Sequence, residues 1–290
     1  MEINGRTRTC GLIGHPVEHT LSPVIHNTLA GLMGHNIVYL PFHVESGRVQ
    51  DAVKGADALG LLGLNVTVPY KSEVIGCLEE IDPLARKIGA VNTLVRTEGG
   101  YKGYNTDMEG LYRAMTSEKI KIAGEQMILL GAGGAARAVA YLCALKGAER
   151  IYMLNRTLDK AQEVAAEVNH GVDKEVVFPM LLSEYGSIPN GDYLAIQGTS
   201  VGLAPHVEET VISDRAFYEK IHTGFDLIYN PWETKFMQYV RECGGRAYNG
   251  LKMLLYQSII AYELWNKVSV SEENAQIVYE RLKAYFTQKG

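Results

Sequence analysis

The stretch GEQMILLGAGGAARAVAYLCALKG, residues 124–147, decides the fold. An apolar run meets a glycine-rich turn, and a helical pattern with small residues at its start follows. Strand, turn and helix in that order open a β-α-β unit. Gly131, Gly133 and Ala136 hold the spacing G-x-G-x-x-G/A. The first glycine permits a tight turn, the second lets a pyrophosphate approach the backbone, and the small third residue allows the helix to sit close on the strand. Free N–H groups and the positive dipole end at the helix N-terminus favour phosphate. The turn Gly131–Ala132–Gly133–Gly134–Ala135 is therefore the candidate phosphate-binding segment for a dinucleotide. The spacing alone is weak; its place between a strand and a helix gives it weight.

Moving outward toward the C-terminus, RIYMLNRT (150–157) reads as the next strand and LDKAQEVAAEV (158–168) as a helix. A cofactor with free ribose hydroxyls calls for an Asp or Glu about twenty residues past the glycines. Asn155 and Arg156 stand there instead. A guanidinium fork suits a 2′-phosphate, which a carboxylate would repel. The expected cofactor is NADP, with Thr157 and Lys160 adding a hydroxyl and a second charge. DYLAIQGTSVG (192–202) and GFDLIYNP (224–231) read as further strands ending in polar or glycine-rich loops, the first placing Thr199 and Ser200 near the cofactor.

Toward the N-terminus the alternation continues. TCGLIGH (9–15), NIVYLPFHV (36–44) and LGLNVTV (62–68) read as strands, and SPVIHNTLAGLMG (22–34) and GRVQDAVKGADALG (47–60) as helices. Ser22 is the expected N-cap of the first helix, with Pro23 at its first position. The alternation predicts an α/β layer with parallel strands. AVNTLVR and YKGYN flank TEGG as a hairpin-like excursion, and a helix starts at Asp107. The last part of the chain is helical. The expectation is two α/β domains with a cleft between them: a substrate domain of 1–106 plus 249–290, and a Rossmann-type NADP-binding domain of 107–248.

Composition narrows the class. Of 290 residues, 47% are hydrophobic and 21% charged, an ordinary globular balance. A net charge of −5 lacks the basic footprint of a nucleic-acid binder. No stretch approaches a membrane span, and the N-terminus shows no apolar signal region. The four cysteines fall in no C-x-x-C pair, so reduced thiols in the cytoplasm are expected. His15, His19 and His26 lack completing ligands at a standard spacing, and no metal is expected. Tyr256, Tyr262 and Met253 read as packing positions on a long helix. Nothing in the sequence decides oligomeric state, and a homodimer is left open.

Hydride chemistry needs a group that gives or takes a proton at the reacting carbon. Lys71, at the end of NVTVPYK (65–71), and Asp107, at the end of GYNTD, both sit where apolar or glycine-rich segments turn polar. A carboxylate beside the lysine would orient its ammonium and raise its pKa, whereas desolvation would lower it.

In order along the chain, GLIGHPVEHTLSP, NVTVPYK, GAVNTL, GYNTD, GAGGAARA, NRT and GLKMLLYQ resemble the motifs of the shikimate dehydrogenases. The resemblance runs from near the N-terminus to the terminal helices. It implies reversible NADPH-dependent reduction of 3-dehydroshikimate to shikimate, in chorismate and aromatic amino-acid biosynthesis. It implies Lys71 as the catalytic lysine, with Asp107 as its partner. Thr67, Asn92, Tyr229 and Gln257 match substrate contacts, and Asn92 and Asp107 the pair that holds ring hydroxyls. Thr20 and Ser22 match two hydroxyls that grip the substrate carboxylate. Leu227 and Gly250 match positions lining the nicotinamide.

Two departures stand out. The family's first hydroxyl is commonly serine, and here it is Thr20, which bears on the choice between shikimate and quinate. Gln197 and Gly198 replace the more usual asparagine and small residue. The rivals are a quinate/shikimate dehydrogenase using NAD, a non-catalytic NADP-binding module, and a folate dehydrogenase of similar plan. The last leaves HTLSP and GYNTD together unexplained.

Overall fold

The computed structural model describes residues 2–287. The chain divides into two compact units. One takes the chain through Leu111 and again from Leu254; the other is Tyr112–Met253.

The first unit opens with β1 (Arg8–Gly14), α1 (Ser22–Leu32), β2 (Ile37–His43), α2 (Val49–Ala58) and β3 (Gly63–Val66). It continues with β4 (Glu80–Ile81), α3 (Pro83–Ile88), β5 (Thr93–Arg96) and β6 (Tyr101–Tyr104). Its six strands order as β2-β1-β3-β5-β6-β4. The β2–β1–β3 half is parallel, as alternating strands and helices require. In the other half the hairpin expected at TEGG brings antiparallel pairs. The TEGG excursion folds β6 back antiparallel on β5, and β5 runs antiparallel to β3. A short loop can only reverse a strand, so the sheet is mixed.

Local chemistry sets the element ends. Asp82 caps α3, accepting from the Leu84 and Ala85 N–H groups, and Pro83 follows it. Gly89, at φ +70°, ends that helix in the left-handed region that glycine tolerates. The expected cap of α1 is corrected. Ser22 is its first helical residue and Leu21 is the N-cap, with no side-chain cap bond. The Ser22 N–H, one of the orphan donors of the first turn, is accepted by Thr20 Oγ1 at 3.2 Å. β3 also stops at Val66, two residues before the expected end, because Thr67 already begins a turn closed by Tyr70 N–H to Thr67 O at 3.0 Å.

The core of this unit is Val, Leu, Ile and Tyr from the sheet, α2 and the turns beside them, among them Leu64, Val66, Tyr70, Val91 and Leu94. α4 (Asp107–Ser117) starts in this unit.

The second unit carries β7 (Gln126–Leu130), α5 (Gly134–Leu145), β8 (Arg150–Asn155), α6 (Leu158–Val172), β9 (Val177–Leu181) and β10 (Tyr193–Gln197). α7 (Arg215–Tyr218), β11 (Ile221–Asp226), α8 (Lys235–Glu242) and β12 (Arg246–Tyr248) complete it. Every strand pair is parallel, in the order β12-β11-β10-β7-β8-β9. Counted from β7 this is 6-5-4-1-2-3, the doubly wound order, with its switch point between β7 and β10. β10 is buried along its whole length and β7 at every position after Gln126, as a sheet covered on both faces demands.

α9 (Leu251–Asn266) and α10 (Glu272–Thr287) end the described chain. From Leu254 onward they belong to the first unit. Trp265 anchors this return: its indole N–H donates to Leu94 O at 2.8 Å. The ring lies so close to β3 that a Cβ at Gly63 would stand 2.0 Å from Trp265 Nε1. Tyr262, 1% exposed, and Tyr256, 6% exposed, are packed inward, as their helical positions suggest. No helix among the described residues is long and apolar enough to cross a membrane.

Candidate active site

In the first unit a polar cluster forms beyond the turn that follows β3. Tyr70 is buried there and donates its hydroxyl to Val44 O at 2.6 Å. Lys71 O accepts from Val91 N–H at 2.8 Å. The main chain around Lys71 is thus held on both sides, while its side chain keeps 32% exposure. Lys71 Nζ donates to Asp107 Oδ2 at 2.7 Å. Asp107 is the first residue of α4, where a carboxylate meets the positive end of the helix. Its other oxygen, Oδ1, accepts from Asn92 Nδ2 at 2.9 Å.

Asn92 is the hub of this cluster. Its amide nitrogen also donates to Gln257 Oε1 at 3.2 Å, and its Oδ1 accepts from the Thr106 N–H at 2.7 Å. Gly110 makes room for Gln257, since a Cβ there would meet the Gln257 backbone nitrogen at 2.7 Å. Lys71, Asn92, Asp107 and Gln257, read separately along the sequence, are therefore one hydrogen-bonded group. Thr67, half-buried, lies at the turn and donates its N–H to Ile13 O at 3.0 Å. Thr20 and Ser22 form a pair, Thr20 Oγ1 donating to Ser22 Oγ at 3.2 Å.

Three polar residues that the sequence reading did not single out support the cluster from below. Asn65, 5% exposed, donates through Nδ2 to Asn92 O at 3.2 Å and to Thr93 Oγ1 at 3.0 Å. Tyr39 donates its hydroxyl to Asn65 Oδ1 at 2.8 Å. Thr106, 2% exposed, ties Asn92 to the start of α4. Burial holds the Tyr39 phenol well above its ordinary range, against the opposing pull of the Ser22 hydroxyl. The signal for Asn65 was present in LGLNVTV: a buried strand tolerates an asparagine only when its amide is satisfied.

The histidines separate. His15 and His19 are exposed, whereas His26 is 2% exposed and stacks on Tyr39 with ring centroids 4.2 Å apart. Neither His26 ring nitrogen has a hydrogen-bond partner in good geometry. Burial pushes its pKa down to about 3, and the nearby Asn65 opposes this only weakly.

In the second unit the glycine turn has the expected geometry. Gly131 takes φ +107°, and a Cβ there would stand 2.8 Å from Thr199 Cγ2. Gly133 is the N-cap of α5. A Cβ at Gly133 or Gly134 would meet nothing within 4 Å, so the turn borders open space above the helix N-terminus. Ala132 is buried beneath it and Ala135 is exposed. Ala136 is fully buried against Gly198, where a Cβ would come within 3.1 Å of the alanine methyl.

Past β8, Asn155 Nδ2 donates to Thr157 O at 2.9 Å. Arg156, Thr157 and Lys160 are exposed beside the start of α6. Arg156 lines a cavity of about 400 Å³ with Leu181, Leu182, Tyr185 and Ile212. Gln197 shapes the neighbouring loop: its Oε1 accepts from Thr199 N–H at 2.5 Å and its Nε2 donates to Val201 O at 3.0 Å. Ser200 is exposed on that loop. Leu227 and Gly250 are in contact, and a Cβ at Gly250 would stand 2.1 Å from Leu227 O. Asp226, fully buried and also missed in the sequence, holds this turn. It accepts from Ile228 N–H at 2.9 Å and from Thr234 Oγ1 at 2.6 Å. Burial raises its pKa to about 7 against both hydrogen bonds. Tyr229 is half-buried two residues beyond Leu227, and burial raises its phenol as well.

An all-parallel doubly wound sheet with this glycine turn defines a Rossmann-type dinucleotide-binding oxidoreductase as the class of protein. A family model of the shikimate dehydrogenase substrate binding domain matches residues 12–94, and one of shikimate / quinate 5-dehydrogenase matches residues 114–184. The chain belongs to the shikimate dehydrogenase family. It is 42% identical over 265 residues to the shikimate dehydrogenase (NADP(+)) of Desulforamulus reducens, covering 91% of each chain. It is also similar to the crystal structure of shikimate 5-dehydrogenase from Listeria monocytogenes in complex with shikimate and NAD. There the TM-score is 0.88 and the identity 30%, over 97% of this chain and 98% of that one. The enzyme of Thermus thermophilus in complex with NADP(H) and shikimate superimposes with a TM-score of 0.82. Its identity is 28%, over 95% of this chain and 99% of that one.

Proposed function

We infer that this protein catalyses the reversible, NADP-dependent interconversion of 3-dehydroshikimate and shikimate, a step of aromatic amino-acid biosynthesis. The observation that carries the reading is the Lys71–Asp107 contact with Asn92 and Gln257 bound into it. The first unit is assigned the substrate and the second the cofactor. NADPH, when bound, supplies the hydride. The open helix N-terminus behind Gly131, Gly133 and Gly134 fits its pyrophosphate, and Arg156 with Thr157 and Lys160 fits a 2′-phosphate.

In this reading Lys71 Nζ carries the proton that the forming alcohol oxygen takes on reduction, and receives it back on oxidation. Asp107 Oδ2 orients the ammonium. Asp107 Oδ1, Asn92 and Gln257 present acceptors and donors at fixed places to the ring hydroxyls. A site of this kind rejects analogues that leave its groups unpaired. Thr20 and Ser22 hold the carboxylate, Thr67 and Tyr229 are further substrate contacts, and Leu227 and Gly250 face the nicotinamide end. Four free cysteines, Cys10 and Cys143 buried among them, support work in the reducing cytoplasm.

The test is steady-state oxidation of shikimate and of quinate, each with NADP⁺ and with NAD⁺, on one preparation. Shikimate with NADP⁺ is expected to lead the other three pairs by a wide margin. The Listeria relative was crystallised with NAD, so the NAD⁺ arms decide the role of Arg156. Quinate turnover equal to that of shikimate would overturn the substrate assignment at Thr20.

A further inference from the structure

A cluster of metal-ligating side chains lies at the ends of β1 and β2, outside the groups assigned above. The parallel register pairs Gly14 with His43, so His15 and His43 leave adjoining strand ends. The main chain there is pinned: Val44 N–H donates to Gly14 O at 3.1 Å and His15 N–H to Val68 O at 3.1 Å. The two imidazoles stand with centroids 4.4 Å apart, tilted by 59°. Glu45 joins them from two residues beyond His43. One donor atom from each of His15, His43 and Glu45 falls within 4.8 Å of the other two.

The distances suit a small dication. Four donors at roughly 2.0–2.2 Å around a tetrahedral ion stand about 3.3–3.6 Å from one another. His43 Nε2 and Glu45 Oε1 are already 3.3 Å apart. The His15 donor lies within 4.8 Å of both, and all three residues are exposed to an arriving ion. Glu18 adds a second feature of such centres. Its Oε1 lies 3.6 Å from His43 Nδ1, on the far side of the ring from Glu45. A carboxylate behind a ligating histidine fixes the ring and leaves the opposite nitrogen's lone pair for the metal.

We propose that His15, His43 and Glu45 form a binding site for a transition-metal dication of the zinc class, with Glu18 orienting His43. Two imidazoles and one carboxylate favour Zn²⁺, Co²⁺, Ni²⁺ or Cu²⁺ over Mg²⁺ and Ca²⁺, which take oxygen ligands. Three protein donors leave a fourth position for water or a ligand. An ion there crosslinks the ends of two neighbouring strands.

The test is Co²⁺ titration followed by its visible ligand-field bands, with Zn²⁺ calorimetry, on the full chain at neutral pH. The expected result is one equivalent bound with the strong bands of a four-coordinate site. His15→Ala, His43→Ala and Glu45→Gln should each weaken binding by about tenfold or more, and Glu18→Gln by a similar or smaller factor. Far-UV circular dichroism of each variant guards against misfolding. Weak octahedral-type bands, or affinity unchanged in His43→Ala, would overturn the proposal. So would binding abolished by blocking the partly exposed thiols of Cys77 and Cys243 and kept in all three variants.

Discussion

Lys71 Nζ and Asp107 Oδ2 stand 2.7 Å apart although 36 positions of sequence separate them. The carboxylate is committed on both sides, since Asn92 occupies its other oxygen. Removing the lysine takes away the proposed proton carrier and leaves the rest of the cluster in place. Lys71→Ala is expected to lower kcat by about 10²–10⁴-fold, the range for loss of general acid–base catalysis. Turnover close to wild type in a folded variant would sink the assignment. Asp107→Asn should lower kcat less than Lys71→Ala, because the lysine stays but loses its orienting charge.

Arg156 stands exposed beside the start of α6 and has no carboxylate partner among the described residues. A guanidinium–phosphate bond contributes roughly 1.5–3 kcal/mol, which is about 10- to 150-fold in affinity. Arg156→Ala should raise KM for NADP⁺ by that factor and leave KM for NAD⁺ within about twofold. An equal rise for both cofactors would mean that the arginine only shapes the loop.

Tyr39→Phe tests the buried support of the site. It removes the hydroxyl that donates to Asn65 Oδ1 and leaves that oxygen buried without it. The expected cost is about 1–3 kcal/mol of stability, read as a lower urea midpoint at unchanged slope. Because Asn65 holds Asn92 and Thr93, the same variant should raise KM for shikimate more than KM for NADP⁺. Unchanged midpoint and KM together would show that the network is replaceable by water.

His26 sets an acid limit on the first unit. Its folded pKa is pushed down to about 3, below the ordinary 6.5, so the unfolded chain binds the proton first. Its neutral ring therefore costs nothing above pH 6.5, and stability falls as pH drops from there toward about 3. One proton of difference corresponds to about 1.4 kcal/mol per pH unit. His26→Phe should flatten the stability curve between these limits by roughly that slope, whatever it does to stability at neutral pH. A curve of unchanged slope would place the acid sensitivity elsewhere.

Local patterns carried most of the reading. The glycine turn and the helix start at Asp107 each lie within a few residues, so propensity and turn chemistry reveal them. β4, β9 and β12 passed unread because they are two, five and three residues long and carry little alternation. The hairpin at TEGG was visible, but not that it would turn half of the sheet antiparallel, since pairing partners are set by distant residues. The same limit hid Tyr39 and Asn65, which meet across 26 positions, and His43 with Glu45, which meet His15 only through strand register. Ser22 misled because Thr20 performs the capping task from two residues earlier.

The indole of Trp265, wedged over Gly63 and bonded to Leu94 O, also makes the protein its own two-channel optical reporter. The chain has two tryptophans. Trp265 is 4% exposed in the first unit, and Trp232 is 37% exposed in the second. A shielded indole emits toward the blue and a wetted one toward the red. A shift of the blue component then follows the unit holding Lys71, and a change at the red edge follows the unit holding Arg156. Trp232→Phe isolates the first signal, so loosening of the unit that holds the Lys71 cluster can be timed without any added label.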